Sequence, residues 1–310
     1  MTAPVEAGWH LTVDPACDGW RLDRFLAHRL ARVSRARAAR LEVRDEDAPA
    51  RAPLRKADRV RKGQRLFARR PVPDAGVSLP PPVVLHEDAE LLILDKPPGW
   101  AAHPTASRFE ATLKWWLAAS GYDAAHEPLH RLDVETSGVI AIARTTAIAR
   151  RLKGALAERE ADKTYLAVVE GEPAALEWTA DAPLGFDAAS AVRLKMGRGA
   201  LSAETHFRTL WRGGGRAVVS ASPQTGRQHQ IRVHLALGGT PLVGDKLYGP
   251  DERLFLASLE RPLEADELDR LGHPRHALHA WRLRLPGCPG EFVAPWPDDL
   301  AALAPGFAPG

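Results

Sequence analysis

Apolar positions follow helical spacing near the start of the chain. Leu22, Phe25, Leu26 and Leu30 fall three or four residues apart, with Arg21, Arg24, Arg29 and Arg32 between them. This spacing predicts an amphipathic helix with arginines on its outer face. Ser34 is placed to cap a second helix, from about Arg35 to Leu41. The run from Val60 to Phe67, interrupted by Lys62-Gly63-Gln64, reads as strand, turn, strand. Residues 1–70 thus read as two short helices and a hairpin in a compact basic unit. Arg70-Pro71-Val72-Pro73 opens a proline-rich stretch that closes on Pro80-Pro81-Pro82, and residues 71–82 are expected to form an extended linker.

Beyond Val83 the pattern changes. Val83-Val84-Leu85 and Leu91-Leu92-Ile93-Leu94 flank a polar turn and predict a hairpin. Thr112 to Ala119 predicts a short helix, and the continuous apolar run Val139 to Ala143 a buried strand. Thr145 or Thr146 is placed to cap a helix reaching about Glu160. Tyr165 to Val169 predicts a strand, Thr205 to Leu210 and Ala217 to Ser220 a strand pair, and Gln228 to Leu237 a helix stopped by Gly238. Strands and helices mix without a regular βαβ repeat. The expected class is α+β, with a mixed, largely antiparallel sheet in residues 83–302 and a fraying tail at 303–310.

Charge sharpens the division. The 310-residue chain carries 42 Lys+Arg and 39 Asp+Glu, a net of +3. Residues 1–70 hold 17 of the cations and 9 of the anions, so this segment is +8 and the remainder −5. A small basic segment on a near-neutral body fits a polyanion-gripping module, and equally a solvated basic face. No apolar run approaches the ~18 residues that span a membrane, and no signal peptide is visible at the start. Cys17 and Cys288 make neither a disulfide framework nor a zinc site, so the cytoplasm is the expected compartment.

Three segments carry candidate chemistry. His130-Arg131-Leu132-Asp133-Val134-Glu135-Thr136-Ser137-Gly138 crowds charge and hydroxyls between apolar elements, as a functional loop does. A turn in which Asp133 bonds neighbouring amides fits the same residues. In Gln224 to His234, Arg227 lies beside Gly226 at the expected helix start, a geometry suited to phosphate or carboxylate. His229 and His234 are five apart, which is not the spacing of a helical metal pair. Tyr165, on its strand, serves either packing or stacking on a nucleobase.

Residues 130–138 together with 225–234 resemble the signature of RluA-type pseudouridine synthases, which isomerise uridine in ribosomal and transfer RNA. Further ordered matches are Asp95-Lys96-Pro97-Pro98-Gly99 with His103-Pro104, Lys163-Thr164-Tyr165-Leu166-Ala167, Pro241-Leu242-Val243-Gly244-Asp245, Leu247-Tyr248-Gly249 and Ala277-Leu278-His279-Ala280. The N-terminal unit resembles the S-four-like RNA-binding domain, through Ser34 to Leu41 and Val60 to Gln64. Residues Glu42 to Leu54 depart from that pattern: they carry Asp45-Glu46-Asp47 and lack a Val-Asn-Gly-like turn.

The resemblance implies that Asp133 is the catalytic aspartate, that Tyr165 stacks on the target uracil, and that Arg227 pairs with the aspartate. It implies that Arg131 fills the gap left by the extruded nucleotide, with His130 and Thr136 beside it on the RNA. Arg35, Arg37, Arg40 and Lys62 would grip RNA from the N-terminal unit. Leu132 and Ile231 are expected to be packing residues. Large-subunit ribosomal RNA is the favoured substrate and transfer RNA the next. The isomerisation involves no redox change or phosphate transfer, so no cofactor or metal is expected, and a monomer is the default. The rival readings are a non-catalytic RNA-binding or ribosome-assembly factor on the same fold, and a hydrolase or phosphotransferase using Asp133. The chain has no P-loop of the Gly-x-x-x-x-Gly-Lys type to support the last.

Overall fold

The computed structural model describes residues 9–30, 38, 41–49, 52–69, 79–102, 111–123, 125–288 and 290–310. The chain divides into two compact units between Ser78 and Leu79. Arg35, Arg37 and Arg40, with most of the expected second helix, lie outside the described residues, as do residues 71–78 of the expected linker.

The first unit contains β1 (Trp9–Thr12), α1 (Leu22–Arg29), β2 (Glu42–Asp45) and β3 (Arg65–Arg69). These strands form an antiparallel sheet in the order β1-β3-β2. The expected hairpin across Val60 to Phe67 is therefore corrected. Val60 lies outside the strands, buried in the core with Leu22, Phe25 and Leu26 of α1, and β3 pairs instead with two strands distant in sequence. Each of those strands has only four residues, too few for a clear period-2 signal. The acidic run after Glu42 makes the turn: Asp45 accepts the Asp47 N–H and the Gln64 amide, and Asp47 pairs with Arg65.

The second unit contains β4 (Val83–Glu87), β5 (Leu91–Lys96), α2 (Leu113–Ala119), β6 (Glu127–Pro128), β7 (Ser137–Ala143), α3 (Thr146–Ala157) and β8 (Asp162–Glu170). Then come β9 (Glu177–Ala180), β10 (Leu184–Phe186), β11 (Met196–Arg198), β12 (Thr205–Gly213), β13 (Arg216–Pro223) and α4 (Gln230–Leu237). It closes with α5 (Arg253–Glu260), α6 (Ala265–Leu271), β14 (Leu278–Arg284), β15 (Phe292–Val293) and α7 (Asp298–Ala301). A ten-stranded sheet runs β4-β5-β7-β14-β8-β13-β12-β9, with β6 on β7 and β15 on β14. Only the β7–β14 pair is parallel, so the sheet is mixed and mostly antiparallel.

Strands here read as continuous apolar runs because both sheet faces are covered. Leu91 and Ile93 of β5 join Val139 and Ala141 of β7 beneath Ala149 and Leu152 of α3. The alternate residues Leu92, Leu94, Ile140 and Ile142 point the other way, against Leu113 and Leu117 of α2. The helices start where the sequence predicts: Thr112 accepts the Trp115 N–H, and Thr145 the Ile148 N–H.

Two expectations at the chain's later segments give way. Residues 303–310 do not stand apart: Ala304 is buried, Phe307 packs edge-on against Trp296, and Arg282 donates to the Gly310 carbonyl. The helix expected from Gln228 begins at Gln230, because His229 adopts a left-handed backbone with φ 54°.

Candidate active site

Asp133 stands on the loop between β6 and β7. The strand that follows fixes where that loop can go. Gly138 has φ 109° and pairs with Ala280 of β14 so closely that a Cβ there would lie 2.1 Å from the Ala280 carbonyl oxygen. Behind the loop, the buried Lys96 ammonium donates to the carbonyls of Pro97 and Val134, at 3.1 and 3.3 Å. Burial pulls this lysine down to about 7. The neighbouring Glu135 accepts from Lys246 at 2.7 Å and from the His276 backbone N–H.

The carboxylate is clamped from α4. Arg232 Nη1 donates to Asp133 Oδ2 at 2.8 Å. Its Nε and Nη2 fork onto the two oxygens of Asp245, both at 2.8 Å. Asp245 also accepts the N–H groups of Leu247 and Tyr248. The guanidinium is thus fixed by two bonds to Asp245 before it meets the catalytic candidate, and the Tyr248 ring lies 5.0 Å from its centre. Burial pushes the Asp133 carboxyl up, but the Arg232 guanidinium outweighs it, with His229 and His276 behind, and holds the group at about 2.

His229 adds a second, directed contact. Tyr248 Oη accepts the Met196 N–H at 2.9 Å and lies 2.8 Å from His229 Nδ1. The phenol both donates and accepts, so either neutral tautomer of the ring completes this bond. The His229 Nε2 lies 3.9 Å from Asp133 Oδ1. Burial keeps the ring neutral, with its pKa down at about 4.

These groups line a cleft of about 1000 Å³, shared by Asp133, Tyr165, Arg131, Arg227 and His229. Tyr165 is half-buried on β8, and burial, with Asp133 nearby, pushes its phenol up so that it stays protonated. Arg131 is exposed and makes no ion pair among the described residues.

The geometry redistributes several expected roles. Arg227 does not pair with Asp133: its Nε donates to the Ser202 carbonyl at 2.9 Å, and Arg232 occupies the position beside the carboxylate. Nor does Arg227 sit on an open helix end, since Gln230 Oε1 accepts both the Arg227 N–H and the Thr225 hydroxyl. Thr136 borders the cleft but is buried, with its hydroxyl 2.8 Å from His276 Nε2. His130 lines the cleft, but its Nε2 accepts the Ala141 N–H and its Nδ1 is buried without a partner among the described residues. Lys62 is exposed in the first unit. Leu132 and Ile231 are packing residues. His234 is structural, bridging Thr205 and the Ala182 carbonyl.

Arg232, Asp245, His229 and Tyr248 are the residues that sequence reasoning missed in function while quoting the segments that hold them. One signal was present: Arg232 is the one Lys or Arg in a mostly apolar helix, Gln230 to Leu237, and a buried cation demands a buried anion.

Comparison with known proteins identifies the family. Residues 90–237 match the family described as RNA pseudouridylate synthase. A ribosomal large subunit pseudouridine synthase D of Nitrosomonas europaea is 36% identical over 231 residues, 71% of this chain and 63% of that protein's length. An uncharacterised RNA pseudouridine synthase of Mycobacterium bovis is 34% identical over 298 residues, 91% of this chain and 92% of the other. The solved structure of human RNA pseudouridylate synthase domain containing 1 superposes with a TM-score of 0.55 at 25% identity, covering 72% of this chain and 86% of that one. Likeness to the Mycobacterium protein runs through both chains almost end to end, and on that ground this chain belongs to the RNA pseudouridine synthase family.

Proposed function

We propose that the protein isomerises uridine to pseudouridine at a specific position in RNA, with Asp133 as the catalytic carboxylate. One observation carries this reading: an ionised aspartate at the cleft, held by an arginine that is itself locked to a second, buried aspartate. The reaction breaks a carbon–nitrogen glycosidic bond and remakes it as carbon–carbon. Its carboxylate acts either as nucleophile or as partner to a cationic sugar, and both roles require the ionised form. Arg232 keeps Asp133 ionised in a partly dry site. The target base must leave its stack, at a cost of about a few kcal/mol. Tyr165 offers an aromatic face for the extruded base, and Arg131, unpaired and exposed, reaches the gap in the strand. Arg227 contacts the strand from the cleft rim rather than the carboxylate.

The favoured substrate is large-subunit ribosomal RNA, because the Nitrosomonas relative is named for it. The basic first unit, with Lys62, is read as an added RNA grip. The Asp133 clamp is complete within the second unit of one chain, which supports a monomer. We place the enzyme in the cytoplasm, where its RNA is made. The test is release of tritium from RNA labelled at carbon 5 of uracil. Release by the wild type and none by Asp133→Asn, with RNA affinity kept within about a few fold, is the expected result. Equal release by both would remove Asp133 from its role, and release from transfer RNA alone would replace the substrate.

A further inference from the structure

The cleft extends past Asp133 and Tyr165 to an end that the isomerisation chemistry does not use. Arg159, Lys163 and Arg284 line that end, together with Asp162 and Glu291. Several other cations of the second unit are matched by carboxylates, among them Arg144 with Glu87, Arg151 with Glu90, Lys153 with Glu127, Lys195 with Glu252 and Arg275 with Asp299. Arg159, Lys163 and Arg284 have no carboxylate within ion-pair distance among the described residues. Glu291 is already taken by Arg282 at 3.3 Å. Asp162 is the one unengaged anion there, so three cations face one free carboxylate and leave a surplus of positive charge.

Arg159 adds a second, independent observation. It follows α3, whose capping is of the Schellman kind: the Glu160 N–H reaches back to the Ala155 carbonyl at 2.9 Å. The residue at the turn must be left-handed, and Arg159 has φ 65°. Glycine is the ordinary occupant of that position, because a Cβ is strained there. A strained arginine where glycine fits better points to a use for its side chain. Lys163 lies two residues before Tyr165 on β8, so both side chains project from the same face of the strand, about 7 Å apart along it. Burial lowers the Lys163 ammonium's pKa.

We propose that Arg159, Lys163 and Arg284 form a phosphate subsite that holds the backbone of the RNA strand flanking the reacting nucleotide. The assignment rests on the isomerisation reading above for the identity of the polyanion. Its ligand is a phosphodiester, recognised by charge and not by base, so the subsite sets affinity and register while Asp133 sets the chemistry. The residues are positioning residues; none touches the bond that breaks.

The test uses full-length protein and an in vitro transcript of large-subunit ribosomal RNA labelled at carbon 5 of uracil. The variant combines Arg159→Gly, Lys163→Met and Arg284→Gln; Arg150→Gln, an exposed cation of α3 away from the cleft, is the control. Tritium release is expected to show KM raised about tenfold or more with kcat within about twofold. The slope of log affinity against log salt should become shallower by about two, since each single-strand phosphate contact contributes about 0.7. Arg159→Gly alone should leave Tm unchanged or higher while raising KM, an outcome that a purely structural arginine would not give. KM and salt slope equal to those of the wild type, or a change no larger than the control's, would overturn the subsite. If the wild type itself releases no tritium, the isomerisation reading fails, and the salt slope still decides whether these cations bind RNA phosphate.

Discussion

Arg232 and Asp133 stand 99 residues apart in sequence and 2.8 Å apart in the fold, and the arginine reaches the aspartate only after spending two of its nitrogens on Asp245. The chemistry of Asp133 is therefore governed by a residue outside its own loop. Replacing Arg232 by glutamine removes the charge that outweighs burial at Asp133. The acid limb of the kcat/KM profile should then move up by one pH unit or more. The same change strands Asp245 as a buried, unpaired carboxylate, which should lower stability by about 3–5 kcal/mol. Adding Asp245→Asn should recover part of that stability and little of the activity. Urea titration and a pH–rate series separate the two effects.

Tyr248→Phe tests the bond that orients the imidazole. Loss of the hydroxyl leaves His229 Nδ1 without its Tyr248 partner and the Met196 N–H without its acceptor. The His229 ring is then no longer held beside Asp133. We expect kcat to fall about tenfold with KM nearly unchanged, and stability to fall by about 1–3 kcal/mol for the stranded amide. An unchanged kcat would mean that the ring orientation near Asp133 is immaterial.

Four histidines with depressed pKa values make folding sensitive to mild acid. Burial lowers His130, His229, His276 and His279 to about 4. The unfolded chain takes up these protons below about 6.5, whereas the folded chain resists until about 4. The unfolded state thus binds more protons in that window, and stability from these groups rises between pH 4 and 6.5 and falls on acidification through it. Urea midpoints measured from pH 7.5 down to 4.5 should decline steadily. His276→Gln should flatten that decline by removing one titrating group, at the cost of its bond to Thr136.

Gly138→Ala should damage the fold and the site together. The added methyl meets the Ala280 carbonyl oxygen at 2.1 Å, in a backbone conformation with φ 109° that alanine avoids. Either β7 withdraws from β14 or the loop bearing Asp133 shifts. A loss of about 3 kcal/mol or more and a fall in kcat beyond about tenfold are expected. A melting curve and turnover at low temperature check both; a stable, fully active variant would show that the close approach is dispensable.

Much of the second unit was legible in the sequence because its strands and helices carry strong, simple patterns. Residues 139–143 read as a buried strand, and 145–146 as a helix start, from local rules alone. The first unit's sheet was not legible, since Glu42-Val43-Arg44-Asp45 has one apolar residue and no period to detect. The site divides the same way. Asp133 and Tyr165 stood out as residues, and their shared cleft follows from strands placed by tertiary pairing. The partner of Asp133 was misread because the family resemblance was carried onto Arg227 and not onto Arg232, five residues further along the same segment. In the structure the left-handed turn at His229 delays α4, Arg227 bonds a carbonyl, and Arg232 reaches the carboxylate.

The strand that joins the two halves of the site is made late. β14, residues 278–284, lies between β7, which follows the Asp133 loop, and β8, which carries Tyr165. A nascent chain emerging at about 5–20 residues per second has synthesised both catalytic candidates long before β14 arrives to seat them side by side. A chain that stops short of residue 278 carries Asp133, Tyr165, His229 and Arg232 but lacks the strand between β7 and β8. Such a chain is expected to be inert toward RNA, with activity beginning when the sheet closes.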